Sequence, residues 1–179
     1  MSDAELVARA LRGDQWAQAA IYQRHAPRLL NTTARLLGSR ADALDVVHEV
    51  FVDALEGLDG LRDPAALGAW LLKRTVNKAS RRHLRQRVAR AFGLHHGPEL
   101  SLATLATPGV SPEVRAELER ISEVLEGLPS RQRFAWVLHH VEGETLPAVA
   151  EVAGVSLATI KRDIAAAQAR IEAQTRSAT

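Results

Sequence analysis

Apolar residues recur at helical spacing along most of this chain, and the stretch from Asp42 to Leu58 is the plainest case. Leu44, Val47, Phe51, Ala54, Leu55 and Leu58 fall at i, i+3, i+7, i+10, i+11 and i+14. At about 100° per residue they make one stripe. Asp42, Asp45, Glu49, Asp53 and Glu56 fall on the opposite face, with no Lys or Arg among them. Like charges at i, i+4 weaken an isolated helix, so an unbroken acidic row needs a reason. It reads either as a solvated back or as a docking face for a basic partner.

A second pattern follows the loop Gly57–Asp63. Asp63 can cap a helix and Pro64 suits a first turn, so a helix is predicted from near Ala65. Along it Arg74, Lys78, Arg81, Arg82 and Arg85 share one face, and no acid occurs from Lys73 to Arg90. A basic helical stripe is the electrostatic footprint of nucleic acid; a solvated Arg-rich surface is the bland alternative. The other face is too polar for membrane insertion.

The rest of the first half also reads helical. Ser2 or Asp3 can cap a short helix through Leu11, and Gly13-Asp14 ends it. A longer helix is predicted over Gln15–Leu37, with Trp16, Ile21, Leu29, Leu30, Leu36 and Leu37 available for burial. Pro27 predicts a kink or break near His25-Ala26, because an interior Pro removes a hydrogen bond and crowds the preceding turn. Gly38 closes this helix, and Ser39 or Ala41 opens the acidic one.

From about Ala91 to Pro112 the pattern is lost. The segment holds three Gly and three Pro and reads as a linker. As a coil of about 20 residues it averages roughly 25 Å end to end and reaches about 70 Å extended. Ser111-Pro112-Glu113 then opens a helix to Glu126. Gly127–Ser130 is a turn, with Ser130 the expected cap of a helix over Arg131–Val141. Thr145 caps a short helix through Ala153, and Gly154-Val155-Ser156 turns into a helix from Leu157 to about Gln174. This last pair is a helix-turn-helix pattern. Leu157, Ile160, Ile164 and Ile171 are its expected buried stripe. Ala158, Thr159, Arg162, Ala166 and Arg170 then point outward, with Lys161 at the flank.

The predicted class is therefore all-α: two small helical domains, residues 1–90 and 112–179, joined by a linker over 91–111. Composition is that of a globular chain, 179 residues with 46% hydrophobic and 25% charged. The net charge of +2 hides strong segregation, acidic at 42–63 and 113–126 and basic at 73–90. There are no cysteines, so disulfides and thiolate metal sites are excluded and a reducing cytoplasm is expected. No signal peptide or membrane span is evident.

Enzyme signals are weak. His48-Glu49 is followed by Val52 where a zinc HExxH site needs a second His. The other histidine doublets, His95-His96 and His139-His140, diverge on a helix. No catalytic residue, metal or cofactor is expected. A stand-alone helix-turn-helix regulator would account for the second half, but not for the acidic and basic helices of the first.

Several stretches together resemble the extracytoplasmic-function (ECF) sigma factors of the sigma-70 family, subunits of bacterial RNA polymerase. LVARALRGDQWAQAAIYQRHAPRLL resembles the family's opening. DALDVVHEVF (Asp42 to Phe51) resembles the segment that docks on the coiled-coil of the polymerase beta-prime subunit. AWLLKRTVNKASRRHLR (Ala69 to Arg85) resembles the segment that opens and reads the −10 element. LEGLPSRQR and the helix ending TIKRDI resemble the domain that reads the −35 element.

The resemblance implies promoter-specific transcription initiation with core RNA polymerase (beta-prime and beta subunits) and promoter DNA as partners, and family members are commonly held by an anti-sigma factor. It places polymerase docking on Asp42, Asp45, Glu49 and Asp53. It places −10 contacts on Asp59, Arg62, Trp70, Arg74, Asn77, Lys78, Arg81, Arg82 and Arg85, with loop Gly57–Asp63 forming a pocket for a flipped base and Trp70 leaning toward the core. It places −35 contacts on Ser156, Ala158, Thr159, Lys161 and Arg162. Asp163 departs from the basic residue the family favours there, and an acid beside phosphates opposes binding. Opposite charge further suggests that the two halves close with the basic stripe against the acidic helix at 113–126.

Overall fold

The computed structural model describes residues 1–91 and 111–176, and every regular element among them is helical. The expected linker lies almost entirely outside the described residues. Helix α1 (Asp3–Ala10) opens with a capping box in which Ser2 and Glu5 satisfy each other's backbone N–H groups. Asp14 caps α2 (Gln15–Leu37), and Ser39 caps α3 (Arg40–Glu56). Between α2 and α3 the chain turns at Gly38, whose φ of 69° is left-handed, where a side chain would be strained.

Two 3₁₀ turns, Leu58–Gly60 and Pro64–Ala66, carry the loop into α4 (Leu67–Ala91). The Asp63 carboxylate accepts from Ala65 N as expected, but the helix proper begins two residues later. Helix α2 runs through Pro27 unbroken. Pro27 is exposed, so water can serve the carbonyl that the ring deprives of a partner.

The second half comprises α5 (Pro112–Gly127), α6 (Ser130–Trp136), a π turn (Val137–Val141), α7 (Leu146–Ala153) and α8 (Leu157–Arg176). Ser111, Thr145 and Ser156 each accept the expected N-terminal hydrogen bond. Ser130 does not: it is the first residue of α6, and Pro129 occupies the cap.

Burial departs from the predicted stripes at several residues. In α3 the buried face is Ala43, Val46, Val47, Val50, Phe51 and Ala54, rotated from the sequence reading because α3 packs on both α2 and α4. Leu44 is thereby left 51% exposed, and Leu55 is only partly covered. Trp16 is 59% exposed at the first turn of α2, where the Arg9 guanidinium reaches over its ring, at 5.1 Å. Leu157, in the first turn of α8, is exposed as well, while Asp163 is buried in its stead alongside Ile160, Ile164, Ala167 and Ile171.

The two halves pack together, and one continuous apolar core runs through both. They meet through α6, the π turn and α7, which lie on α4 and α2. The His83 ring lies 5.7 Å from that of Phe134, and Arg87 donates to the Leu128 carbonyl at 3.1 Å. The loop that follows the π turn presents two acids to α2. Glu142 accepts from Thr32 at 2.8 Å and Arg35 at 2.6 Å, and Glu144 pairs with Arg28. The halves are closed, but not as charge alone suggested: the acidic helix α5 packs on α8.

Candidate nucleic-acid interface

Helices α3 and α4 run antiparallel, and their charged faces meet. Lys78 Nζ lies 2.7 Å from Asp53 and 3.0 Å from Glu49. One turn further along, Arg82 lies 2.6 Å from Asp42 and 3.2 Å from Asp45. Gln86 Nε2 completes the Asp42 site at 2.8 Å. Each cation sits between two acids, which relieves the like-charge row on α3. Burial pushes the Asp42 carboxyl upward, but hydrogen bonds from Arg82, Ser39 and Gln86 outweigh it and hold the group below the usual aspartate range. Burial opposes the charge on Lys78 too, yet Asp53 and Glu49 raise its pKa. Asp42 strengthens the charge of Arg82 in the same way.

Six of the nine predicted −10 residues, Arg62, Trp70, Arg74, Asn77, Lys78 and Arg81, line two clefts along α4. The first, about 340 Å³, is lined by Gly60, Leu61, Arg62 and Asp63 of the loop and by Ala69, Trp70 and Lys73. Trp70 is half-buried against the core, and the Arg74 guanidinium lies 4.0 Å over its ring. This contact fixes the ring and aligns the cation with the cleft wall. Glu151 of α7 closes the far side. The second cleft, about 220 Å³, has Arg74, Asn77, Lys78 and Arg81 on the α4 wall and Val50 and Asp53 on the α3 wall. Arg81 and Arg85 are exposed, as is Asp59 in the loop. Arg82 is not part of this face, because it turns to Asp42.

In the helix-turn-helix, Ser156, Ala158, Lys161 and Arg162 are exposed and Thr159 is half-buried. The Ser156 and Thr159 hydroxyls lie 2.9 Å apart, and Arg162 donates to Thr159 at 3.4 Å. Asp163 is not on this face. Its carboxylate is buried and meets Arg131 Nε of α6 at 2.5 Å, so the acid does not confront a ligand on the exposed side.

Sequence reasoning missed three relationships: the cross-helix pairing of the acidic and basic rows, the Arg131–Asp163 pair, and the reach of Glu142 and Glu144 to α2. The first had a visible signal, since opposite charge patterns on consecutive helices joined by a short loop place the two rows side by side. Among the described residues no helix is long and apolar enough to cross a membrane.

The chain matches the models for sigma-70 region 2 over residues 21–89 and sigma-70 region 4 over residues 118–171. It is 32% identical to the RNA polymerase sigma factor NccH of Alcaligenes xylosoxydans xylosoxydans, covering 96% of this chain and 93% of that one. It is 30% identical to the ECF RNA polymerase sigma factor SigM of Mycobacterium tuberculosis, covering 95% and 83%. Among solved structures, CnrH in complex with the cytosolic domain of CnrY matches over the whole of both chains with a TM-score of 0.68 at 26% identity. The chain belongs to the ECF sigma factors of the sigma-70 family, the subunits that direct RNA polymerase in transcription initiation.

Proposed function

We propose that the first half docks on core polymerase through the α3 acidic face and engages the −10 element through the loop and α4, while α8 reads the −35 element. The observation that carries this reading is the continuity of the two clefts. Arg62, Trp70, Lys73, Arg74, Asn77, Lys78 and Arg81 follow one another along a single helix and its preceding loop. An aromatic ring beside a chain of cations suits an unstacked base and its flanking phosphates. Asp45 and Glu49, both exposed, offer a basic partner its first contact. Ser156, Ala158, Lys161 and Arg162 stand at the N-terminal end of a recognition helix, where base edges are read in the major groove. The protein acts in the cytoplasm, without enzymatic activity of its own. The solved relative CnrH is in complex with the cytosolic domain of CnrY, and an anti-sigma factor is proposed for this chain on that likeness.

Co-elution with bacterial core RNA polymerase on a sizing column tests the reading. A stoichiometric complex that is lost with Asp45→Arg supports it. Wild-type competition for core polymerase by that variant would reduce the acidic face to solvated surface.

A further inference from the structure

The pairing of α3 with α4 carries a consequence for how the two activities communicate, and it rests on the docking and −10 roles just given. The four acids proposed for polymerase docking are the partners of two cations proposed for DNA. Lys78 is held between Glu49 and Asp53, and Arg82 between Asp42 and Asp45. Neither cation can meet a phosphate at full strength while it serves two carboxylates. The same acids cannot fully meet a basic partner while they serve the cations. Four acids against two cations still leave the face net negative, so a basic surface is attracted to it.

We infer that the α3–α4 ion pairs are a charge clasp that couples polymerase docking to DNA binding within one domain. A basic surface arriving on α3 takes over the carboxylates and releases Lys78 into the cleft it lines with Arg74, Asn77 and Arg81, and frees Arg82 one turn further along α4. By linkage the effect is reciprocal, so phosphates drawing on the cations free the acids for the partner. The pairs are half-exposed, with side-chain accessibilities of 29% for Lys78 and 54% for Asp53. Such pairs exchange readily, and each accounts for a coupling of about twofold to fivefold. The clasp also explains why α3 sustains an otherwise unfavourable acidic row.

The helix provides a charge-matched control. Glu56, three residues beyond Asp53 and also exposed, has no cation within ion-pair distance among the described residues. Asp53→Asn and Glu56→Gln each remove one negative charge from the same end of α3, but only the first opens the clasp.

The full-length chain is titrated with fluorescent oligo(dT) at low salt. Asp53→Asn is expected to bind about twofold to fivefold more tightly than Glu56→Gln, and this difference is expected to vanish when Lys78→Gln is added to both. In the reverse direction, Lys78→Gln is expected to bind core polymerase more tightly than Lys73→Gln, a charge-matched loss from the same helix. Equal oligo(dT) binding by Asp53→Asn and Glu56→Gln, including no binding by either, overturns the clasp. So does equal polymerase affinity of the two lysine variants. Failure of the wild-type chain to bind polymerase at all would instead strike the docking reading on which the clasp rests.

Discussion

The Asp163 carboxylate lies 2.5 Å from Arg131 Nε, tying α8 to α6. An acid that the sequence placed beside DNA phosphates is therefore an internal strut. Arg131 is more than half exposed, so solvent screens the pair and its contribution is modest.

Asp163→Asn is expected to lower stability by about 1 kcal/mol while changing affinity for duplex DNA by less than about threefold. Thermal unfolding and DNA titration on the same preparations check both parts. A large gain in DNA affinity would mean that the acid faces the ligand after all.

On the proposed reading, the exposed cations of α4 set the salt dependence of DNA binding. Each phosphate neutralised contributes about 0.7 to the log–log slope for single strands and about 0.9 for duplex. Arg81→Ala combined with Arg85→Ala is expected to flatten the slope by about 1.4 to 1.8 units, read from binding isotherms across a salt series. Because Arg82 is engaged by Asp42, Arg82→Ala alone is expected to flatten the free chain's slope by less than either exposed arginine does.

The Asp42 carboxyl titrates low in the folded chain. A depressed acid contributes stability above its unfolded pKa, and that contribution is lost as pH falls through the folded value. Asp42→Asn is expected to cost about 1 kcal/mol at neutral pH, with the gap from wild type closing below about pH 4. Melting curves across a pH series give the test. A gap that persists at acid pH would show that shape rather than charge is at stake.

Two acids just after the π turn help to hold the halves together. Glu142 is almost fully covered and bonded to both Thr32 and Arg35. Glu142→Gln with Glu144→Gln is expected to weaken the contact by about 1–2 kcal/mol. Hydrogen exchange should then rise across residues 137–145 and the radius of gyration should increase. Unchanged exchange would assign closure to the apolar contacts around Phe134 and His83 alone.

Much of this protein was legible before any coordinates. The helix order, the caps at Ser2, Ser39, Asp63, Ser111, Thr145 and Ser156, and the helix-turn-helix depend on residues within one or two turns of each other. Local chemistry decides such features, and the chain states it directly. The segregation of acids onto α3 and bases onto α4 was equally plain, because it is a matter of counting along each helix.

Tertiary packing decided which way each helix is turned and which charges meet. Leu44 falls on the periodic α3 stripe and Val46 does not, yet the joint approach of α2 and α4 selects the face that buries Val46 and exposes Leu44. Asp163 reads as an exposed acid until Arg131 arrives from another helix. The acidic and basic rows read as two independent surfaces until an antiparallel pairing sets Lys78 between Glu49 and Asp53. Contacts between residues distant in sequence depend on rotations of whole helices, and a periodic pattern leaves those rotations open by tens of degrees.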